Sequence, residues 1–588
     1  MKYELINPDI QFSEQSHNTI ERVLINRGIP ANLVEKYLNT TDEDINHYNL
    51  LGREQLEAAY YALTSAIVKN ENALLIIDSD ADGYTSAAVL TNYLYDLAPD
   101  WVTNHLFFFQ HEGKQHGLAD VSDIEEISLI IVPDAGSNDY VHHKYFADMG
   151  IPVIILDHHE AEKISEDAIV INNQLSDYPN KSFSGVGIVW QFCRFLDEKT
   201  NHNYADKYID LVALGNISDM MSLKDLETKH LITEGLKQEN VHNPFIVAIS
   251  IKNSFSLGGK LTPIGVAFYI TPFINAMVRS GTQEEKELLF KAMLPHEAFV
   301  KVPSTKRGHK PGDQEKIVDQ AIRIVTNVKA RQTKSQDNGL SKLENLIEER
   351  DLLENKVLLF QCESGDIPKN IAGLIANKFM AKYQRHTAIL FRATIDGEIY
   401  WRGSARGYSR SDIESFKDLC AESGLVEYAE GHASAFGLSI KDENIPAFIE
   451  FTNKALENDS GDVSYFVDYI YQGKNINPQH ILDIAQLDYL WGQDIPEALV
   501  AIEGLKITGN MLTLMSPDKK PTLKITLPNL SIIKFKSSQE EYDKLYSDTG
   551  YVEINLVGTC NANSWNGNIS PQIFVKDYEI ITQDKYYF

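Results

Sequence analysis

The sequence predicts an α/β protein of several domains: a parallel-sheet domain, a long helix, a second α/β domain and a small C-terminal β-barrel. Three observations carry this reading. The runs "NALLIID", "ISLIIVPD" and "IPVIILDHH" are short, continuous and rich in Ile, Leu and Val, and each holds an acidic residue at or near its end. Helical stretches such as "TSAAVLTNYLYDL" and "YVHHKYFADMG" stand between them. Continuous apolar strands alternating with helices indicate a parallel sheet covered on both faces. At 588 residues, the chain has length for roughly three to five such domains.

Taken in order, residues 1–50 read as an N-terminal extension and 51–300 as the parallel-sheet domain. From about Pro311 to Asn355 the pattern turns helical and charged, so 301–355 reads as a connecting helix. The second α/β domain, 356–460, is announced by "NKVLLFQ", "IAGLIANKFMAKY", "HTAILFR" and "EIYWRGSAR". Beyond 461 lies a lead-in, and then short alternating strands separated by turn residues: "LKITGNMLTLMS", "PTLKITL", "LSIIKFK", "YVEINLVGTCN" and "SPQIFVKDYEI". That pattern predicts a small antiparallel barrel. The chain contains no internal repeat and no low-complexity segment.

Composition narrows the function classes. Hydrophobic content of 43% with 23% charged residues describes a globular chain, not a disordered one. The start, "MKYELINPDIQFSEQ", is too polar for a secretory signal, and no apolar run approaches the roughly 18 residues of a membrane span. Cys193, Cys362, Cys420 and Cys560 form no CxxC pair, which argues against a disulfide framework or zinc cluster and fits a reducing cytoplasm. A monomer with no membrane partner is expected. The net charge of −29 repels nucleic acid at long range, and its plain account is solubility. Carboxylates gathered for metal would contribute to it. The stretch Lys301–Gln336 nevertheless has nine Lys/Arg against three Asp/Glu. Such a run is ordinarily a solvated face; beside a strand channel it would favour nucleic acid.

The chemistry begins at "LLIIDSDADGYTSAAVL", which packs Asp78, Asp80 and Asp82 into five positions behind an apolar run. Three like charges so close belong either to a solvated turn or calcium loop, or to a site holding something positive. Ligands of open parallel sheets gather at the carboxyl ends of strands, and Asp78, Asp134 and Asp157 all fall there. With Asp80, His158, His159 and Asp219 they form a set rich in oxygen donors with a few imidazoles. That set suits Mn²⁺ or Mg²⁺ better than zinc. Two such ions about 4 Å apart can activate a water and stabilise the charge of a phosphodiester under in-line attack.

The ordered motifs "DSDADG", "PDAG", "DHH" and "ALGNISDM" resemble those of the DHH phosphoesterase superfamily. Within it, "VINNQLSDYPNKSFSGVGIVW", "FYITPFINAMVRSG", "IPKNIAGLIANKF", "WRGSARGYSRSDI" and "EGHASAFGLSI" resemble the RecJ family of single-stranded-DNA-specific 5′→3′ exonucleases. "LWGQDIPEALVAI" and "SWNGNISPQIFVKDYEI" resemble the start and end of its oligonucleotide-binding domain. The resemblance covers roughly residues 50–588. It implies a DHH domain, a long helix, a DHHA1 domain and an OB-fold. It assigns Asp78, Asp80, Asp134, His158 and Asp219 to two Mn²⁺ or Mg²⁺ ions, with Asp134 bridging. Asp82 is implied either as a ligand or as a residue holding the site, Asp157 as the orienter of imidazoles or water, and His159 as a contact to the scissile phosphate. Ser404, Arg406, Gly431 and His432 are implied to contact the strand, with Asn275 and Arg279 contributing from the first domain. Each of these has a local alternative: Arg406 as a surface residue, Asn275 and Arg279 as capping or pairing groups, Gly185 and Gly187 as packing glycines. Gly83 is open between packing and phosphate approach, and Trp565 reads as barrel core, not a stacking platform.

Two departures from the family pattern stand out. Where the family commonly offers an arginine ahead of a Gly-Tyr-Gly-Leu stretch, this chain has "HEGKQHGLAD", so His111 or Lys114 would take over a phosphate contact. Glu430 and Phe436 replace smaller residues in the "EGHASAFG" stretch. The expected function is metal-dependent 5′→3′ hydrolysis of single-stranded DNA in recombination or repair, with room for a helicase or single-strand-binding protein as partner. The alternatives are a phosphodiesterase of the same superfamily acting on short oligonucleotides or cyclic dinucleotides, and a non-catalytic RecJ-like replication factor. The first class often places a histidine four residues ahead of the DxD pair, where this chain has Leu74. The second has lost metal ligands, which this chain keeps.

Overall fold

The computed structural model describes residues 1–8, 19–113, 115–121, 124–363, 365–408, 411–459, 464–565 and 568–584. The chain divides into two compact units. One contains Met1–Asn275, Gln283–Ile322 and Tyr465–Phe588; the other contains Ala276–Thr282 and Arg323–Ser464. No described helix is long and apolar enough to cross a membrane, and the four cysteines are buried thiols.

In the first unit, five parallel strands lie side by side in the order Leu106–Gln110, Asn72–Ile77, Ile127–Pro133, Val153–Asp157, Ile169–Asn172. Successive strand residues point to opposite faces. On one face Leu74, Ile76, Ile130, Val132, Val153 and Ile155 pack with Leu118, Phe146 and Ile151. The alternate residues Leu75, Ile77, Leu129, Ile131, Ile154 and Leu156 are equally buried, beneath helices that include Arg53–Lys69, Ala81–Leu97 and Gly185–Thr200. Burial on both sides is why these runs show no polar alternation. The chain enters at Asn72–Ile77, moves outward to Leu106–Gln110, and then crosses back to Ile127–Pro133. That reversal opens a crevice at the carboxyl ends of the two neighbouring strands, where such sheets bind ligands. Asp78 and Asp134 are the first residues beyond those two strands.

The C-terminal part of this unit is a mixed sheet of seven strands, ordered Tyr469–Gln472, Leu499–Ile507, Tyr551–Trp565, Asn568–Asp584, Leu530–Phe535, Thr522–Leu527, Leu512–Met515. It is not wholly antiparallel as expected. Tyr469–Gln472 runs parallel to Leu499–Ile507, and Leu530–Phe535 parallel to Asn568–Asp584, because each of those partners is reached through an intervening segment and not by a tight turn. At the N-terminus, Lys2–Leu5 pairs with Ser464–Val467, and Met1, Tyr3 and Leu5 pack on Val467, Ala501 and Val557. Arg27 donates to both oxygens of Asp468 at 2.7 and 2.8 Å, with the pair almost fully buried. Residues Lys301–Pro303 and Gln314–Lys316 form a short antiparallel ladder, so helix begins only at Ile317 and runs to Glu349.

The second unit carries its own five-stranded sheet, ordered Val426–His432, Ala435–Lys441, Glu398–Arg406, Thr387–Ile395, Leu358–Cys362. The hairpin joining Thr387–Ile395 to Glu398–Arg406 turns on Asp396 and Gly397, both at positive φ (49° and 85°). That is the Asp-Gly two-residue turn whose twist matches antiparallel strands. One face of the sheet packs Leu359, Leu390, Trp401, Phe416 and Leu438, and the other Phe360, Ile375, Phe379, Ile389 and Phe391.

Candidate metal centre

The "DSDADG" motif resolves into three carboxylates with three different settings. Asp78 is buried just beyond its strand; its Oδ1 accepts the Gly117 N–H at 3.0 Å and its Oδ2 lies 2.6 Å from His116 Nδ1. Asp80 is the N-cap of helix Ala81–Leu97 and accepts the Gly83 N–H at 2.9 Å, the ordinary satisfaction of an orphan helix donor. Asp82 turns to the N-terminus of helix Gly185–Thr200, where it accepts from Gly185 N at 2.7 Å and Val186 N at 3.3 Å. An anion there meets the positive end of the helix dipole.

Asp134 closes the cluster from the neighbouring strand. Its φ of 70° is left-handed, a conformation that aspartate tolerates better than most residues and that is often found at functional positions. Its N–H donates to Leu156 O at 2.7 Å. His158 Nε2 stands 3.3 Å from Asp134 Oδ1, 3.4 Å from Asp219 Oδ2 and 4.0 Å from Asp82 Oδ2. Asp219 caps the C-terminus of helix Ile209–Ser218. Among the described residues, three groups bring ligand atoms within 4.8 Å of one another: Asp78, Asp80 and Asp134; Asp82, His158 and Asp219; Asp134, His158 and His159.

Gly83 and Gly185 make this approach possible. A Cβ on Gly83 would lie 2.6 Å from the Asp78 Cβ, and one on Gly185 would lie 2.2 Å from Asp134 Oδ1. Gly187 is purely a packing glycine, since its Cβ would meet the Phe183 ring at 2.5 Å.

Electrostatically the cluster is unbalanced. Burial raises the Asp134 carboxyl well above the usual range, and the charges of Asp82, Asp80, Asp78 and Asp219 push it further. Burial followed by Asp82 and Asp80 moves Asp219 up to about 8; Asp80 is raised by burial, Asp78 and Asp82. Burial, reinforced by the His159 charge, lowers His158 to about 4, so its imidazole is neutral, the form that binds a metal. Among the described residues, both Asp134 oxygens and His158 Nε2 are buried without a hydrogen-bond partner. Buried polar atoms are almost always satisfied, and a divalent cation among these oxygens would satisfy all three atoms and reduce the repulsion. The donor set, oxygen-rich with one or two nitrogens, fits Mn²⁺ or Mg²⁺.

Asp157 and His159 stand apart as a dyad. Asp157 accepts from the Ser137, His158 and His159 amides at 3.0, 2.7 and 3.1 Å and from His159 Nδ1 at 2.8 Å. Burial would raise its carboxyl, but the His159 hydrogen bond and charge outweigh burial and hold it far below the usual range. Burial likewise opposes charge on His159, yet the Asp157 hydrogen bond and charge raise it to about 9. The His159 side chain is 54% exposed, with Nε2 left to meet a ligand.

The expected strand contacts distribute less simply. In the second unit, Arg406 and His432 both register opposite Ala435, and Ser404 and Gly431 flank them at Gly437 and Phe436. Arg279 belongs to this second unit, not to the first; Asn370 Nδ2 donates to its carbonyl at 2.7 Å. Burial, then the Arg279 charge, lowers the Arg406 guanidinium, so the two cations are neighbours. Asn275 remains in the first unit, lining a cleft with Ser218, Met220 and Phe268. The phosphate contact expected of His111 is not supported. Its side chain is buried, at 2% exposure, and Nε2 bonds Gly117 O at 3.1 Å. The ring sits against Phe109 at the end of a strand and fastens the following loop. Lys114 and the Trp565 side chain lie outside the described residues. His116, which touches Asp78, was not singled out by sequence reasoning. Nothing local marks it, because its partner is 38 residues away.

Comparison with known proteins places this geometry in a family. The profile of the DHH family N-terminal domain matches residues 72–216, and that of the RecJ OB domain residues 467–577. An SPbeta prophage-derived protein of Bacillus subtilis (strain 168), named as a single-strand DNA-specific exonuclease, YorK, is 32% identical over 588 residues, 99% of this chain and 98% of its own. The single-stranded-DNA-specific exonuclease RecJ of the same organism is 24% identical over 98% of this chain and 70% of its own. Among solved structures, RecJ of Thermus thermophilus in complex with Mn²⁺ shares the fold, with a TM-score of 0.68 at 18% identity over 96% of this chain and 78% of that one. The chain belongs to the RecJ-like family of DHH proteins.

Proposed function

We propose that this protein is a divalent-metal-dependent exonuclease that hydrolyses phosphodiester bonds of single-stranded DNA from the 5′ end, in recombination or repair. Asp78, Asp80, Asp134, His158 and Asp219 would hold two Mn²⁺ or Mg²⁺ ions. The observation that carries the reading is the pair of buried, unsatisfied Asp134 oxygens facing the unsatisfied His158 Nε2 within a carboxylate cluster. The names of the relatives and the OB-domain match support a single strand as substrate.

The chain's own residues have separable tasks. Asp157, locked by three amide donors, fixes the His159 ring and keeps it protonated at neutral pH. His159 Nε2–H then donates to a phosphate oxygen as negative charge accumulates there, a charge-assisted contact in a partly buried site. Asp82, by holding the amides of Gly185 and Val186, seats the helix that presses Gly185 against Asp134. When bound, the ions would neutralise the carboxylates and supply Lewis acidity toward the phosphate. Ser404, Arg406, Gly431, His432, Arg279 and Asn275 are proposed to contact the strand.

The test is degradation of a 3′-labelled single strand with Mn²⁺, beside a duplex and a cyclic dinucleotide. Stepwise shortening from the unlabelled end, abolished in Asp134→Ala, is expected. Faster turnover of the dinucleotide, or undiminished turnover by Asp134→Ala, would overturn the proposal.

A further inference from the structure

Resting on the nuclease reading above, we propose that His116 is a phosphate-contacting residue, a second carboxylate-oriented imidazole beside the acidic cluster. Its geometry repeats that of His159. Each ring places Nδ1 on a buried aspartate: His116 on Asp78 at 2.6 Å, His159 on Asp157 at 2.8 Å. Each is more than half exposed, at 59% and 54% of its side chain. Each aspartate is itself held by a backbone amide, Gly117 N at 3.0 Å and Ser137 N at 3.0 Å. His116 touches Asp78, which shares one group of close ligand atoms with Asp80 and Asp134, and His159 belongs to another such group with Asp134 and His158. Both rings therefore border the same acidic cluster.

The segment carrying His116 is fastened although it is irregular. Gln283 Nε2 donates to Gln110 O at 2.6 Å and Lys286 Nζ to His111 O at 2.9 Å. His111 Nε2 holds Gly117 O, and Leu118 N donates to Asp139 Oδ2 at 2.7 Å. The buried His111 is thus a support, and the polar ring of this loop that reaches solvent beside the metal cluster is His116. With Nδ1 committed to a carboxylate, Nε2 is the outward polar atom. A phosphate oxygen meeting the ring at Nε2 would leave one ring nitrogen facing Asp78 and the other facing the phosphate. A group preorganised in this way loses little entropy on binding. The ligand chemistry is a phosphate of the strand, either its terminal monoester or the diester being cut.

The experiment compares His116→Asn with His116→Ala. Asparagine keeps a donor where Nδ1 stood, so Asp78 retains its partner, but removes Nε2; alanine removes both. Affinity is measured for a short single strand, 5′-phosphorylated or 5′-hydroxyl, with Ca²⁺ replacing Mn²⁺, and Mn²⁺ affinity is measured separately by calorimetry. His116→Asn is expected to weaken strand binding about tenfold while binding Mn²⁺ like the wild type. Loss confined to the 5′-phosphorylated strand identifies the terminal phosphate, and equal loss on both strands identifies the internal diester. Wild-type strand affinity in His116→Asn, or Mn²⁺ affinity lost in parallel with it, would overturn the proposal and leave His116 as a support for Asp78. A wild-type protein that bound no Mn²⁺ would instead defeat the nuclease reading, and this inference with it.

Discussion

Gly185→Ala adds one methyl group at the point where the helix Gly185–Thr200 meets the acidic cluster. Its carbon would lie 2.2 Å from Asp134 Oδ1, 2.6 Å from the Asp134 Cβ and 2.7 Å from the Cα, whereas comfortable contact begins near 3.4 Å. The carboxylate must retreat by about 1 Å, or the helix must. Neither is free to do so: Asp134 is held at its left-handed φ by the bond to Leu156 O, and the Gly185 amide is held by Asp82. Overpacking of this kind costs about 1–3 kcal/mol. The functional cost is larger, because ligand distances tolerate only about 0.2 Å. Mn²⁺ affinity by calorimetric titration should therefore fall by about 10- to 100-fold. Gly187→Ala is the control, since its methyl would strike the Phe183 ring at 2.5 Å and no candidate ligand. Both variants should unfold at lower temperature, and only Gly185→Ala should lose Mn²⁺. Wild-type Mn²⁺ affinity in Gly185→Ala, or equal loss in Gly187→Ala, would refute the reasoning.

Asp134→Asn removes a charge that burial and four neighbouring aspartates oppose. Its thermal midpoint without divalent ions should rise above wild type while its Mn²⁺ titration becomes flat; a lower metal-free midpoint would contradict the repulsion argument. His386 is buried, accepts the Tyr408 N–H at Nδ1, stacks on Phe416, and is lowered to about 4 by burial. Its folded pKa lies below the ordinary 6.5, so the unfolded chain takes the proton first. About 3 kcal/mol of stability, fully present above pH 6.5, should be lost as pH falls toward 4, visible in denaturant titrations and absent in His386→Phe. Asp468→Ala strands the buried Arg27 guanidinium and should cost about 3–5 kcal/mol in the same titrations.

What could be read from the sequence follows from where physics is local. Continuous Ile, Leu and Val runs ending in acid announce buried parallel strands whose ends carry a site, and Asp78, Asp134 and Asp157 stand where that rule puts them. The Asp80 cap and the Asp396-Gly397 turn are equally short-range. The N-terminal strand is not, because Lys2–Leu5 finds its partner more than 450 residues later. A parallel pairing such as Leu530–Phe535 with Asn568–Asp584 is hidden for the same reason.

Within the site, residue types and their places along the chain pointed to an acidic cluster suited to a cation, because Asp78, Asp134 and Asp157 stand at strand ends with Asp80, His158 and His159 beside them in sequence. Only the tertiary structure decided how each is used. Asp82 faces a helix N-terminus formed a hundred residues later. His111 is buried while His116 reaches Asp78 across the crevice. Arg279 joins the second unit. Those outcomes depend on strand order, on the close approach that Gly185 permits, and on which buried donor finds which acceptor. Such pairings are set by three-dimensional packing between distant segments, and no periodicity along the chain encodes them.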